Sequence, residues 1–481
     1  MQLRHPNLFR QQCFINGQWI DADNKKTFDV VNPFDQRVLG HVPECGSSET
    51  TRAIEAAHAA FLKWRAFTAK ERSDLLWRWA GLIQENKEDL ALLMTFEQGK
   101  PQTEARGEID YGNSFIKWFA EECRRIYGDI IPSNKPNQHL LVIKQPIGVV
   151  GAITPWNFPM SMITRKCAPA LAAGCTVVIK PAEDTPFSAL ALAVLAEEAG
   201  IPAGVINVIT GSPEKIGLEL TTNPLVKKIS FTGSTEVGKL LMKQSSGTVK
   251  KISLELGGNA PFIIFDDADL DAAVKGAMAS KFRNTGQTCV CANRILVQEK
   301  VYDSFSEKFT RAVKQLKIGN GLDPDVQQGP LINQAAIEKI QSHIADAVSK
   351  GAKIVTGGQS HSAGKLFFEP TVMTEVTSAM KVAREETFGP VAPLFRFKTE
   401  EEAIHMANDT QFGLAAYFYS RDINRVWRVA EALEYGIVGV NEGITSTEVA
   451  PFGGYKESGI GREGSKYGIE EYVEIKYLCM G

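Results

Sequence analysis

The stretch from about Leu140 to Phe265 leaves this 481-residue chain the least freedom in what it can fold into. Short apolar runs at residues 140–143, 149–153, 176–179, 205–209, 228–231 and 262–265 alternate there with helical segments. One such segment, residues 186–200, is rich in Ala and Leu, opens on Pro186 and closes on Gly200, as helices often do. Strands alternating with helices at this spacing predict a parallel, doubly wound α/β sheet. Such a sheet binds its ligand beyond the C-terminal ends of its strands.

The pattern returns after about residue 256 with different lengths, for example a helix over 305–316 and a strand over 394–397, and this predicts a second α/β domain. Ahead of the sheet, residues 68–99 read as one helix. Thr68 and Glu71 form a capping box, Leu75, Leu76, Trp79, Leu82 and Ile83 keep helical spacing, and Gly99-Lys100-Pro101 ends it. No internal repeat or low-complexity tract is found.

Composition excludes several classes. Hydrophobic residues at 44% and charged residues at 23% belong to a folded globular protein. The net charge of −3, with both signs mixed along the chain, offers no footprint for nucleic acid or an anionic membrane, so the expected partner is a small molecule. Arg4, His5 and Arg10 near the start lack the apolar core of a secretory signal, and no apolar run is long enough to span a bilayer. Eight cysteines are too few for a disulfide-built scaffold, which points to a reducing, cytoplasmic setting. Cys289 and Cys291 have no second pair near them and the seven histidines fall into no ligand spacing, so no metal is expected.

Two glycine motifs point in misleading directions. Gly459-Ile460-Gly461-Arg462-Glu463-Gly464 has the form of a dinucleotide fingerprint, but turn-rich residues precede it and only 17 residues follow, so it reads as a glycine loop. Gly233-Ser234-Thr235-Glu236-Val237-Gly238-Lys239 nearly matches a nucleotide-hydrolase phosphate loop, yet Leu240 stands where magnesium needs Ser or Thr. Following a strand and opening a helix, that turn still suits a pyrophosphate, which free backbone N–H groups and the helix dipole favour without a metal.

The segment Phe282-Arg283-Asn284-Thr285-Gly286-Gln287-Thr288-Cys289 resembles the nucleophile motif of the aldehyde dehydrogenase superfamily. Leu254-Glu255-Leu256-Gly257-Gly258 resembles its general-base motif. Thr154-Pro155-Trp156-Asn157-Phe158-Pro159, Lys180-Pro181-Ala182-Glu183-Asp184-Thr185-Pro186, Phe231-Thr232-Gly233-Ser234 and Glu386-Thr387-Phe388-Gly389-Pro390 resemble the remaining landmarks, in the family's order. Alone, Cys289 would read as a small buried hydrophobe, Glu255 as a solvated carboxylate and Asn157 as a turn residue. Their joint occurrence decides otherwise.

The resemblance implies that Cys289 adds to an aldehyde carbonyl to give a thiohemiacetal. The oxyanion so formed would be met by the Asn157 side-chain amide and the Cys289 backbone N–H, donors worth about 3 kcal/mol each in comparable chemistry. Loss of hydride then leaves a thioester, and Glu255 is the candidate base for the water that hydrolyses it. On the cofactor side the resemblance places the adenosine ribose on Lys180 and Glu183, the pyrophosphate near Gly233 and Ser234, and the nicotinamide ribose on Glu386. Pro155, Trp156, Leu256 and Phe388 complete that site. A carboxylate at Glu183 accepts from a ribose 2′-hydroxyl and repels a 2′-phosphate, so NAD is expected over NADP.

Residues 163–166, 280–283, 289–291 and 462–468 look like the succinate-semialdehyde dehydrogenase branch of the family. In that branch two arginines and a serine hold the substrate's distal carboxylate, and they map onto Arg165, Arg283 and Ser446. The alternative for each arginine is a structural ion pair. Glutarate semialdehyde, one methylene longer, is the rival substrate, because a methylene changes pocket binding by only about 1 to 3 kcal/mol. Cys291 is a candidate redox switch, since in some members the equivalent pair oxidises to a disulfide. Other classes weighed are a non-enzymatic, crystallin-like protein and a branch that passes its thioester to coenzyme A; the presence of Cys289 and Glu255 disfavours them.

The resemblance further implies an aldehyde dehydrogenase-like α/β fold in three parts. These are an NAD(P)-binding domain over 1–122 and 146–257, a catalytic domain over 258–457, and an oligomerisation β element over 123–145 and 458–481. A dimer or tetramer is expected.

Overall fold

The structure, a computed structural model, describes residues 2–481. Five parallel strands form the centre of an eight-stranded sheet, in the order Ile206–Val208, Thr176–Lys180, Val149–Ile153, Val226–Thr232 and Lys251–Glu255. Every residue of Thr176–Lys180 is buried, as a parallel strand covered by helices on both faces requires. From Val149–Ile153 the chain winds outward on one side to Ile206–Val208, then returns to pair Val226–Thr232 with the other side of Val149–Ile153. Strand order therefore reverses there. The loops that leave those two strands separate and open a crevice at their C-terminal ends.

The helices that cover this sheet follow from local signals. Phe187–Glu198 is apolar on all sides and buried through most of its length. Ser161–Ala173 is buried at every residue although it carries Arg165 and Lys166, and it ends at Gly174 in the left-handed region at φ 98°. The expected helix over 68–99 is two helices, Ala69–Glu85 and Lys87–Gln98. The capping box at Thr68 and the stop at Gly99 are both present. Between them Asn86 leaves helical geometry and its side-chain amide donates to Leu82 O at 2.9 Å, the local competition for backbone groups that makes Asn a helix breaker.

A second, seven-stranded sheet runs in the order Lys353–Thr356, Thr371–Thr374, Val391–Phe397, Ala292–Gln298, Ala260–Ile264, Ala415–Tyr419, Ile437–Val440, parallel except at its first strand. A third sheet is antiparallel, with His139–Pro146 between Asp129–Ile131 and Val473–Met480. Only the end of the 458–481 segment joins it. Gly459–Ile460 instead adds an antiparallel strand to Leu254 and Glu255 at the edge of the first sheet. At Gly459 a β-carbon would fall 2.0 Å from Leu254 O, so the glycines that imitate a dinucleotide loop serve close backbone approach.

Candidate active site

Cys289 follows the short turn Arg283–Gly286, where Asn284 and Thr285 hold positive φ of 49° and 56°. Residues with a β-carbon persist in that region only when their surroundings hold them. Here Asn284 Nδ2 donates to Asn157 O at 3.0 Å, its backbone N donates to Glu104 Oε2 at 2.8 Å, and Thr285 Oγ1 accepts from Gly329 N at 3.1 Å. Asn157, in the loop after Val149–Ile153, donates from Nδ2 to Gln287 O at 3.0 Å, which brings its amide against the Cys289 loop. An amide carries two N–H donors, so one remains for a ligand. Glu255 ends its strand facing the same place, and a β-carbon on Gly258 would lie 2.5 Å from Cys289 O. Gly258 thus lets the backbone after Glu255 close on that of Cys289.

Glu255 is buried and neither of its oxygens has a hydrogen-bond partner among the described residues. Burial, reinforced by the nearby Glu463 carboxylate, raises its ionisation well above the usual carboxylate range, against the pull of Arg165 and Lys166. Burial likewise pushes the Cys289 thiol up to about 12, with Arg165 opposing. This burial favours the neutral thiol of Cys289.

A cleft of about 350 Å³ joins Cys289 and Asn157 to Pro155, Trp156, Gly233, Ser234, Leu256, Glu386 and Phe388. Ser234 caps the helix Thr235–Ser245, which directs that helix's free N–H groups at the cleft. Trp156 and Phe388 meet edge to face at 5.6 Å, and Glu386 is fixed by Gly258 N at 3.1 Å, with its ionisation raised by burial to about 7. Lys180 and Glu183 form an ion pair with the lysine buried and the carboxylate half exposed.

Behind the nucleophile, Arg283, Ser446, Thr288 and Tyr417 line one small pocket. The Arg283 guanidinium lies 4.8 Å over the Phe158 ring and has no ion-pair partner among the described residues. Arg165 is differently placed. It is 1% exposed, pairs with Glu463 at 2.8 Å and lies 3.9 Å over Phe452. Cys291 Sγ lies 3.7 Å from Lys281 Nζ and 3.3 Å from Gly286 O.

Sequence reading missed three groups here. Glu463 sits inside the glycine motif and pairs with both Arg165 and Lys166. Lys166 also donates to Thr232 Oγ1 at 2.6 Å, at the C-terminal end of a central strand. Tyr111 has a buried hydroxyl beside Ser446 and feels the charges of Arg165 and Arg283. For Glu463 the available signal was an acidic residue among glycines, which loop chemistry explained too easily.

Residues 19–478 match the aldehyde dehydrogenase family. The chain belongs to that family. This aldehyde dehydrogenase is 64% identical over 481 residues, all of both chains, to the Escherichia coli succinate-semialdehyde dehydrogenase [NADP(+)] GabD. It is 64% identical over 480 residues, covering both chains, to a Pseudomonas putida glutarate-semialdehyde dehydrogenase. A crystal structure of succinate-semialdehyde dehydrogenase from Burkholderia pseudomallei superimposes with a TM-score of 0.99 at 62% identity, covering 100% of each chain. The chain is thus an NAD(P)-dependent oxidoreductase of aldehydes. Its cleft suits such a dinucleotide, since Gly233 and the capped helix leave backbone donors where a pyrophosphate would lie. Among the described residues no group of His, Cys, Asp and Glu is arranged to hold a metal ion.

Because a base acts deprotonated and Glu255 is shifted upward, turnover limited by thioester hydrolysis should climb as pH rises past the ordinary carboxylate range. Glu255→Gln should keep a burst of one equivalent of reduced nicotinamide yet slow steady turnover about 10²- to 10⁴-fold. Unchanged steady turnover would remove Glu255 from hydrolysis, and loss of the burst would move it to thiol activation.

Proposed function

We propose that this aldehyde dehydrogenase oxidises succinate semialdehyde to succinate, with NAD preferred over NADP. The observation that carries the substrate is Arg283, a guanidinium without a protein carboxylate, facing Ser446 in a pocket that also contains Thr288, next to Cys289. Arg283 is half-buried and, among the described residues, free of any protein carboxylate, and a guanidinium fork matches a ligand's carboxylate. Tyr111 places a hydroxyl beside Ser446 and the two arginines, within their electrostatic reach. Arg165 pairs with Glu463, yet its Nε and Nη2 have no hydrogen-bond partner among the described residues, so it too has donors to offer the carboxylate. Glutarate semialdehyde stays as the second reading, because a relative equally similar to this chain bears that name.

In the reaction, Cys289 attacks the aldehyde carbon as its thiol proton passes to water in the cleft, which leaves Glu255 free for the later step. The oxyanion takes the free N–H of the Asn157 amide and the backbone N–H of Cys289. A bound nicotinamide dinucleotide supplies the hydride acceptor. Pro155, Trp156, Gly233, Ser234, Leu256, Glu386 and Phe388 would hold it, with Lys180 and Glu183 at the adenosine end. Glu255 then draws a proton from water as that water attacks the thioester, and Cys289 leaves. The open edge strand Asp129–Ile131, with Ile130 84% exposed, supports assembly into a dimer or tetramer through the third sheet. No helix among the described residues is long and apolar enough to cross a membrane.

Initial rates with succinate semialdehyde, glutarate semialdehyde and propanal, each with NAD and NADP, test this reading. Arg283→Ala should raise KM for succinate semialdehyde about 10- to 100-fold, the loss of a charge-assisted pair, and leave propanal unchanged. Equal effects on propanal would sink the carboxylate assignment. Glu183→Ser should lower KM for NADP by about tenfold, in keeping with about 1.4 kcal/mol of relieved repulsion; an unchanged NADP constant would show that Glu183 does not set the preference. Cys291 is proposed as the partner of Cys289 in reversible peroxide inactivation, and Cys291→Ala should abolish recovery by dithiothreitol. Full recovery in that variant would exclude the pair.

A further inference from the structure

Three charged residues close to the helix Gln102–Glu122 are turned inward, and none of them takes part in the reaction as derived. Lys100 lies in the turn before the helix, Glu104 in its first turn and Glu108 one turn later. Lys100 and Glu108 have side chains 0% and 1% exposed and form an ion pair at 2.5 Å. Such a pair is a poor source of stability, because removing two charges from water costs about what their attraction returns. Its bonds to neighbours are therefore the more informative part.

Each bond leads to the active site. The Lys100 ammonium donates to Glu108 and, at 2.8 Å, to the backbone carbonyl of Asn157, and it lies 4.1 Å over the Phe158 ring. Glu108 Oε1 accepts from Met160 N at 3.0 Å and Ser161 N at 3.1 Å. Those N–H groups open the helix Ser161–Ala173, which has no side-chain cap of its own. Glu104, half-buried, accepts from the backbone N of Asn284 at 2.8 Å and so supports the left-handed turn before Cys289. Asn284 closes the circuit by donating to the same Asn157 carbonyl that Lys100 holds.

We propose that Lys100, Glu104 and Glu108 are positioning residues that fix the Asn157 amide relative to Cys289 by tying both active-site loops to one helix. The inference rests on reading Asn157 as an oxyanion donor. Donor geometry must be held to within about 0.5 Å for full effect, and a misplacement of about 1 Å can cost about 10²-fold in rate. The Asn157 loop and the Cys289 turn leave different sheets, so without a common support their separation would follow every small movement between the two halves of the molecule.

The experiment compares Glu104→Ala, Glu104→Gln and Asn157→Ala in the full-length enzyme, on propanal as well as succinate semialdehyde. Propanal has no carboxylate, so it reads positioning separately from any effect on nearby Arg283. Glu104→Ala should lower kcat about 10- to 100-fold on both substrates with KM changed less than about threefold. Glu104→Gln keeps an acceptor for Asn284 N and should stay within about threefold of the parent. In an Asn157→Ala background, Glu104→Ala should cost less than about threefold more, because the donor it positions is gone. If Glu104→Ala fails to fold, Glu104→Asp, which draws the acceptor back by one methylene, should show the same loss of kcat in smaller measure. A folded Glu104→Ala enzyme with full kcat, or Glu104→Gln as damaged as Glu104→Ala, overturns the positioning role. An Asn157→Ala enzyme with full kcat overturns the oxyanion reading instead.

Discussion

Val149–Ile153 pairs in parallel with Thr176–Lys180 on one side and Val226–Thr232 on the other, and Lys251–Glu255 follows in the same direction. Backbone pairing fixes where these strands end relative to one another, before any side chain is considered. Their C-terminal ends carry Asn157, Lys180, Ser234 and Glu255 within a few residues, so the functional groups are placed by the ladder. The second sheet contributes Cys289 on the turn that precedes Ala292–Gln298. Catalytic geometry is then a matter of how firmly two sheets are joined. The Asn157, Gln287 and Asn284 hydrogen bonds make that join at the reacting centre itself.

Burial sets the chemistry of the site. Two carboxylates, a thiol and two cations lie close together there, and each shifts the others. Glu255 without a partner is held toward its neutral form, whereas Glu463, gripped by Lys166 and Arg165, is held below the usual carboxylate range although burial opposes this. Two carboxylates in one chamber are thus driven apart in ionisation, one poised to exchange a proton and the other held as a fixed anion. The helix Ser161–Ala173 carries the cations responsible, which explains why a fully buried helix contains Arg165 and Lys166.

Much of this was legible in the sequence. The apolar runs at 149–153 and 176–179 became strands with nearly those bounds, and the Pro186 to Gly200 segment became the helix Phe187–Glu198. Hydrophobic period is a local property, and these elements express it directly. The strand Lys251–Glu255 escaped notice because it is charged at both ends and carries Glu255 for chemistry in place of an apolar residue. The break at Asn86 escaped because the apolar spacing continues across it. Cys289, Glu255 and Asn157, which the structure brings to one place, stood out through their motifs, but their supports did not. Glu104, Lys100 and Glu463 act through partners far along the chain, and no local pattern marks such a pairing.

The bond between Lys166 and Glu463 spans 297 residues of sequence. At about 5 to 20 residues per second, a ribosome needs roughly 15 to 60 s to travel that distance. Throughout that interval the cations of the helix Ser161–Ala173 lack their ion-pair partner, and the strand Lys251–Glu255 waits for Gly459–Ile460. An apolar interior cannot close stably over unpaired cations. The cofactor half of this enzyme therefore gains its last internal ion pairs only when Glu463 has been synthesised.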